Sequence, residues 1–446
     1  MEKDLIKRII TKLKKMGCQE SDVFYSKTKN ISCSSRLGKV ENTESSSVSE
    51  IGIRAFLNKK QSIVSTTNLD RKNIEDLTDK LFQMVKVVPQ NKYCGLAKPE
   101  DVMKFKKSDA DSLKLNDPKI PTISKLKSNV IELEESALSN KLIKNSEGAE
   151  ISYTHNSYYL LGSNGLEIEM EKTHSDYIIA VLASSKNSME REYDYKSKVF
   201  FSDLGNFSEI GKEVSKNAIK KLDSKKINTC KSDVIFDSKV SSSLLRNLFT
   251  ACNSPSIIKG VSFLKDKINQ NVFNKEITIV DNPLMPKKLR SRTLDCEGIE
   301  SKKRYLIKEG NLQFFFNSLS SARQLKQQPS GHASRSVSSI PSVSFSNLYM
   351  EKGESTKEDM IRSLNRGLLI TELMGSSINY STGDYSRGAS GFWIENGEIT
   401  YPVSEITIAG NLKDIFKSIK PANDLEFNFG VNAPSCYVEN LTLGGK

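Results

Sequence analysis

Residues 367–410 read GLLITELMGSSINYSTGDYSRGASGFWIENGEITYPVSEITIAG. Two runs within this stretch, Gly391 to Glu395 and Glu398 to Val403, flank Asn396-Gly397, the dipeptide that best supports positive φ at both centres of a two-residue turn. The pattern predicts an antiparallel hairpin. Just upstream, Gly383-Asp384-Tyr385-Ser386-Arg387 sets a flexible backbone beside a carboxylate, a phenol, a hydroxyl and a guanidinium, with Gly388 after them. Such a run reads as a polar loop that binds or positions something and then feeds the hairpin.

Outward from the hairpin, residues 227–446 predict a strand-rich unit with a few helices. Asp233 to Phe236 reads as a buried strand and Val240 to Cys252 as a helix. Tyr305 to Phe316 reads as a hairpin turning at Glu309-Gly310-Asn311, and Ser355 with Glu358 forms a capping-box pattern ahead of a helix carrying Met360, Ile361 and Leu364. At the other end of the chain, Leu5, Ile6, Ile9, Ile10, Leu13 and Met16 repeat at helical spacing and Gly17 follows as a stop. Strands around Ser21–Tyr25, Val48–Leu57 and Gln61–Thr66 and a helix from about Arg71 to Val87 complete an α+β unit over residues 1–90. Residues 91–121, rich in Lys, Asp and Pro, predict a surface linker with little regular structure. A second α+β unit over residues 122–226 carries a helix from Ile123 to Leu138, a hairpin across Tyr158–Glu169, a strand Tyr177–Ala183 and a helix Leu204–Leu222.

A chain of 446 residues exceeds one ordinary compact core, so several domains are expected. Hydrophobic content of 37% against 27% charged residues fits a soluble globular protein, and no apolar run approaches the ~20 residues of a membrane span. The charged N-terminus has no cleavable apolar core, so a cytoplasmic location is expected. Seven cysteines without any Cys-x-x-Cys spacing read as reduced thiols. The net charge of +12 comes mostly from dispersed lysines, without an arginine-rich arm or an aromatic-interleaved basic strip, so no nucleic-acid partner is expected.

The 367–410 segment resembles the C-terminal signature of the TldD/PmbA family of metallopeptidases, and more closely its PmbA branch, also called TldE. Further stretches carry the resemblance: Gly310-Asn311-Leu312, then Ser321-Ala322-Arg323-Gln324-Leu325, then Ser330-Gly331-His332-Ala333-Ser334-Arg335, and Ala409 to Phe416 followed by Asn423-Asp424. It implies N-terminal α/β modules followed by a strand-rich, barrel-like C-terminal domain. It also implies a heterodimer of a TldD-like and a TldE-like chain that encloses a cleft for unfolded peptides, with zinc on the TldD-like side. There the metal is held partly by a His-Glu-x-x-x-His motif on a helix, whose glutamate activates the attacking water.

This chain has histidines only at 155, 174 and 332, none of them within helical reach of another and none in Val240–Cys252. No metal site and no catalytic residue is therefore expected here, and no cofactor in this chain, with zinc expected in a TldD-like partner. Gly-x-Ser-x-Gly, phosphate-loop and dinucleotide signatures are missing from the sequence as well. His332, among small turn-forming residues, reads as a loop histidine satisfied by backbone groups. Asp384, Tyr385, Ser386, Arg387 and Arg323 are the candidates for substrate binding or for the subunit interface. An Asp and an Arg three apart also commonly brace their own turn, and that alternative stays open. Trp393 reads as buried hairpin core. Two further readings remain: a stand-alone peptidase with a metal site not visible as a motif, and a non-proteolytic basic binding or regulatory protein.

Overall fold

The computed structural model describes residues 2–445. Helix α1 (Glu2–Lys15) buries Ile6, Ile9 and Leu13, the stripe that its sequence spacing announces. Strands β1 (Glu20–Arg36), β2 (Lys39–Leu57) and β3 (Lys60–Thr66) follow as a meander, and α2 (Arg71–Val87) packs Ile74 and Leu81 onto the same face as α1. β1 and β2 run well beyond the apolar alternation. The Lys39–Ser45 end of β2 is solvent-exposed and is held by its ladder to β1, so no burial pattern marks it in the sequence.

The stretch expected to be a bare linker contains the short helix α3 (Lys107–Ser112) and buries Ala110, Leu113 and Leu115 against Met170. Helix α4 (Ile123–Leu138), strands β4 (Ile143–Gly162), β5 (Glu167–Ser184) and β6 (Met189–Lys198), and helix α5 (Phe207–Lys220) come next. Asn206 caps α5 by accepting from the Ser208 and Glu209 amides. β4 pairs antiparallel with β1, so residues 1–90 and 122–226 share one six-stranded sheet in the order β3-β2-β1-β4-β5-β6. The two-residue period of a strand then divides its side chains. Odd-numbered Val23, Tyr25, Tyr159, Ile151, Tyr177 and Ile179 lie in the cores beneath the four helices. Even-numbered Phe24, Ser26, Tyr158 and Lys172 stand on the opposite face, toward the C-terminal part of the chain.

That part begins with β7 (Cys230–Phe236), α6 (Ser238–Cys252) and α7 (Ser254–Ile258). A five-stranded sheet combines β8 (Ile279–Asp281), β9 (Arg304–Lys308), β10 (Asn311–Leu312), β13 (Leu348–Met350) and β18 (Val431–Asn432), and α8 (Leu319–Leu325) with the ribbon β11 (Ala333–Ser334) and β12 (Ser342–Val343) lies in its connections. After α9 (Lys357–Arg362) come β14 (Arg366–Asn379), β15 (Asp384–Glu395), β16 (Glu398–Asn411), α10 (Leu412–Ser418), β17 (Lys420–Pro421) and β19 (Cys436–Gly444). These strands and β7 form a sheet in the order β16-β15-β14-β7-β19-β17, and an added β16–β19 pairing closes it into a barrel. The fold is thus α+β with a strand-rich, barrel-like C-terminal unit. Among the described residues no helix is long and apolar enough to cross a membrane.

The deciding hairpin forms as its turn chemistry requires, with Asn396 at φ 52° and Gly397 at φ 78° between β15 and β16. Trp393 is buried, with Nε1 donating to Glu395. One boundary lies a residue further on: the capping box is Thr356 with Asp359, not Ser355 with Glu358.

Candidate functional site

The polar run Gly383–Arg387 is not a loop. Apart from Gly383 it is the start of β15, paired to β14 and β16, so the ladder of the closed barrel takes up its backbone groups. Strand alternation sends its side chains to different environments. Tyr385 enters the barrel core at 2% exposure, and burial pushes its phenol above the ordinary tyrosine range. Asp384 accepts from Thr382 Oγ1 at 2.5 Å and from Asn411 Nδ2 at 3.2 Å. Arg387 Nε donates to the Gly375 carbonyl at 2.7 Å. Asp384 and Arg387 therefore do not brace each other; each is tied to a neighbouring strand or turn at the surface. Ser386 lies between them, paired with Ser377 and Ala409 in the ladder.

Arg323 stands apart from this group. On α8, its guanidinium donates to the carbonyls of Tyr93, Gly95 and Leu96 at 3.1, 2.9 and 2.5 Å, clamping the linker to the C-terminal unit. So occupied, it holds chain to chain.

Helix α6 packs Val240, Leu244, Leu248 and Ala251 into the barrel core. Its polar positions meet the β14–β15 connection, where Tyr380 Oη lies 3.2 Å from Asn247 Oδ1. Ser243 Oγ, Asn247 Nδ2 and Tyr385 Oη are buried without partners, so neutral polar atoms collect around this helix and hairpin.

A second polar concentration joins the first sheet to the C-terminal unit, and no sequence motif announces it. Asp22 on β1 sits between Arg54 of β2 and Arg335, which follows β11. Burial alone would raise the Asp22 carboxyl, but the two guanidiniums hold it below the usual range. Nearby, burial and the neighbouring Asp295 push Glu297 up to about 7, while its Oε2 accepts from the Leu319 amide at 2.7 Å. His332 is buried with Nε2 3.0 Å from Asp281 Oδ1 and Nδ1 2.9 Å from Ser330 Oγ, and it packs against Phe314 and Phe316. Side chains, not backbone groups, satisfy this histidine. Asp22 escapes a sequence reading because its two partners lie 32 and 313 positions away, and the His332–Asp281 contact spans 51.

Family models for the PmbA/TldA metallopeptidases match in three pieces: domain 1 over residues 21–85, the central domain over 105–222 and the C-terminal domain over 229–445. Metalloprotease PmbA of Escherichia coli O157:H7 is 31% identical over 428 residues, covering 96% of this chain and 92% of that protein. The chain belongs to the PmbA/TldD family. A Bacteroides thetaiotaomicron structure provisionally described as a modulator of DNA gyrase superposes with a TM-score of 0.91 at 27% identity, covering 100% of this chain and 99% of that one. TldE from Thermococcus kodakarensis has the same fold, with a TM-score of 0.87 at 18% identity and coverage of 99% and 100%.

The zinc that a PmbA/TldD-family metallopeptidase implies can be tested against the donors present. Zinc takes thiolate, imidazole and carboxylate ligands. Along α6 the polar chemistry is hydroxyl, amide, ammonium and guanidinium, its one thiol, Cys252, is sealed in the core where burial holds it protonated, and both ring nitrogens of His332 are already engaged. Cys436 is sealed in the core beside Met350 Sδ and the Pro434 carbonyl. Among the described residues no three His, Cys, Asp or Glu side chains come together as a metal-holding group. The donor set does not fit zinc.

Proposed function

We propose that this chain is the TldE-type subunit of a two-chain metallopeptidase that cleaves unfolded peptides, and that the catalytic zinc belongs to a TldD-like partner. The observation that carries the reading is α6: it is a long helix of the C-terminal family domain, set against the β14–β15 hairpin, and it bears no imidazole.

On this reading the chain contributes walls and strand edges. β6 is an edge strand, bonded to β5 alone in its sheet. A groove of about 130 Å³ lies between it and α6, lined by Asp194, Tyr195 and Lys196 on one side and Ser238, Lys239 and Ser242 on the other. An extended peptide laid along such an edge is bound through its main chain, which tolerates many sequences. Asp384 and Arg387, at the surface, are the residues offered to the partner or to peptide carbonyls.

The test is co-expression with a homologous chain from the same genome that carries His-Glu-x-x-x-His. Co-purification, with peptide cleavage by the pair and zinc in the partner alone, supports the proposal. Stoichiometric tightly held zinc in this chain by itself, with cleavage lost to a chelator, would refute it.

A further inference from the structure

Lys172, on the even-numbered face of β5, has a surrounding that no part of the proposed peptidase role explains. Its Nζ makes one contact to an acceptor, the Ser291 carbonyl at 2.8 Å, leaving two of its three donors without a protein partner. The charges that reach it are both positive. Burial, with Arg292 and Arg290 beside it, pushes the ammonium down to about 7, and no carboxylate offsets them. Arg290 is itself lowered to about 10 by burial and by Arg292, while Asp281, the acid within its reach, is already taken by His332 and Ser346. Asp295 accepts from the Glu297, Ile299 and Ala333 amides. Lys172 is half-buried, and a cation drawn out of bulk water with no counter-ion is costly unless something supplies the missing charge.

Space for that charge is present. Lys172 and Arg292 line a cavity of about 200 Å³ between the first sheet and the 292–296 segment, whose wall is largely apolar, with Phe24, Leu160, Ile168 and Met170, and also holds Asp295, its carboxylate taken by three backbone amides, and Arg335, paired with Asp22. Thr293, in the same lining, carries a buried hydroxyl without a partner. Lys172 also lines a wider space of about 440 Å³ on the same sheet face, with Asn156, His174 and Asp176, whose carboxylate is taken by the Ser152 and Ser197 hydroxyls. The smaller cavity falls below the ~300 Å³ of ordinary ligand pockets, so it suits a body the size of one amino-acid side chain. A bare inorganic anion would satisfy the lysine and leave the apolar wall uncovered. An uncharged apolar ligand would do the reverse.

We propose that this cavity binds a carboxylate carried on a small apolar body, with Lys172 as its cation, Arg292 and the Thr293 hydroxyl as further donors, and Phe24, Leu160, Ile168 and Met170 as the wall for the body. Charge-assisted hydrogen bonds to a half-buried lysine supply the affinity, and the wall supplies selection against hydrophilic anions. The proposal rests on the cavity and its charge, so it stands or falls apart from any pairing with a metallopeptidase partner.

The test uses the full chain and four probes: N-acetyl-leucine, N-acetyl-leucinamide, inorganic phosphate and the tripeptide Ala-Ala-Leu with a free C-terminus. The methyl resonance of Met170, assigned by substitution, reports occupancy. N-acetyl-leucine should shift it saturably, and the amide, which keeps the body and loses the charge, should bind roughly tenfold more weakly or worse. Lys172→Met should lose the carboxylate preference and Lys172→Arg should keep it. Displacement of N-acetyl-leucine by the tripeptide would identify peptide ends as the source of the carboxylate; tripeptide failure alongside N-acetyl-leucine binding would identify free acids. Equal binding of acid and amide, phosphate binding as tight as N-acetyl-leucine, or no saturable shift with any probe would overturn the assignment. The comparison of acid with amide needs no variant, so a misfolded mutant would not obscure it.

Discussion

Arg335 Nη1 lies 2.9 Å from Oδ1 of Asp22, a residue 313 positions earlier in the chain, and both side chains are sealed from solvent. Through this contact the first strand of the N-terminal sheet is fastened to the C-terminal unit. Arg54 binds the other oxygen of the same carboxylate, so one anion serves two guanidiniums. Asp22→Asn should therefore strand both buried cations and destabilise the protein by about 3–5 kcal/mol, the usual effect of removing one partner from a buried ion pair. Denaturant unfolding of the two proteins measures it. A loss below ~1 kcal/mol would mean that water reaches the pair and that the fastening lies elsewhere.

Gly397→Val tests the hairpin. Gly397 adopts φ 78°, and a Cβ there would stand 2.8 Å from the Arg362 carbonyl oxygen, so strain and contact act together. The expected cost is about 1–3 kcal/mol, read as a lower midpoint in thermal melting. An unchanged melt would show that the turn relaxes to another type without penalty.

Arg387→Ala separates the two roles of the surface arginine. Its bond in the chain is to the Gly375 carbonyl at an exposed edge, and exposed contacts of this kind contribute at most about 1 kcal/mol. The isolated chain should melt within a degree or two of the parent, while co-purification with a TldD-like partner, or peptide cleavage by the pair, should fall. A marked loss of stability with partner binding intact would reduce Arg387 to a brace for the Gly375 turn.

How much of this was legible follows from what sequence patterns encode. α1, α2, α4, the Asn396-Gly397 turn and the strand-rich C-terminal unit were readable because each rests on local period or local turn chemistry. Pairing of β1 with β4 was not, since it unites stretches more than 100 residues apart and makes one sheet of two expected units. Asp384–Arg387 is hidden for a related reason: glycine and polar residues mark loops on average, but a closing barrel places these four in strand, with Gly383 alone left in the turn. The family signature was visible in the sequence, whereas the cationic cavity at Lys172 was not, because its lining comes from β1, Phe105, β4, β5, the 292–296 segment and Ala333–Arg335.

Lys172 also dictates a pH dependence whose sign can be worked out. An unfolded lysine titrates near 10.5, and in the fold burial beside Arg292 and Arg290 brings this one down to about 7. Between those values the unfolded chain holds a proton at Lys172 that the folded chain has released, so unfolding takes up a proton and stability rises with pH across that window. Below pH 7 both states are charged and the full burial penalty applies; above 10.5 both are neutral and it is gone. Lys172→Met keeps the stem and removes the charge, with Tyr158, His174, Asp176, Asp295, Arg335, Arg292 and Arg290 left in place around it. In ligand-free protein the variant should melt several degrees above the parent at pH 6, with the gap narrowing steadily toward pH 9.5. Melting curves of both proteins across that range decide the matter. A constant gap, or a variant less stable at pH 6, would show that Lys172 keeps its charge in the fold by contact with water or with an anion already held in the cavity, and addition of N-acetyl-leucine to the parent would tell these apart.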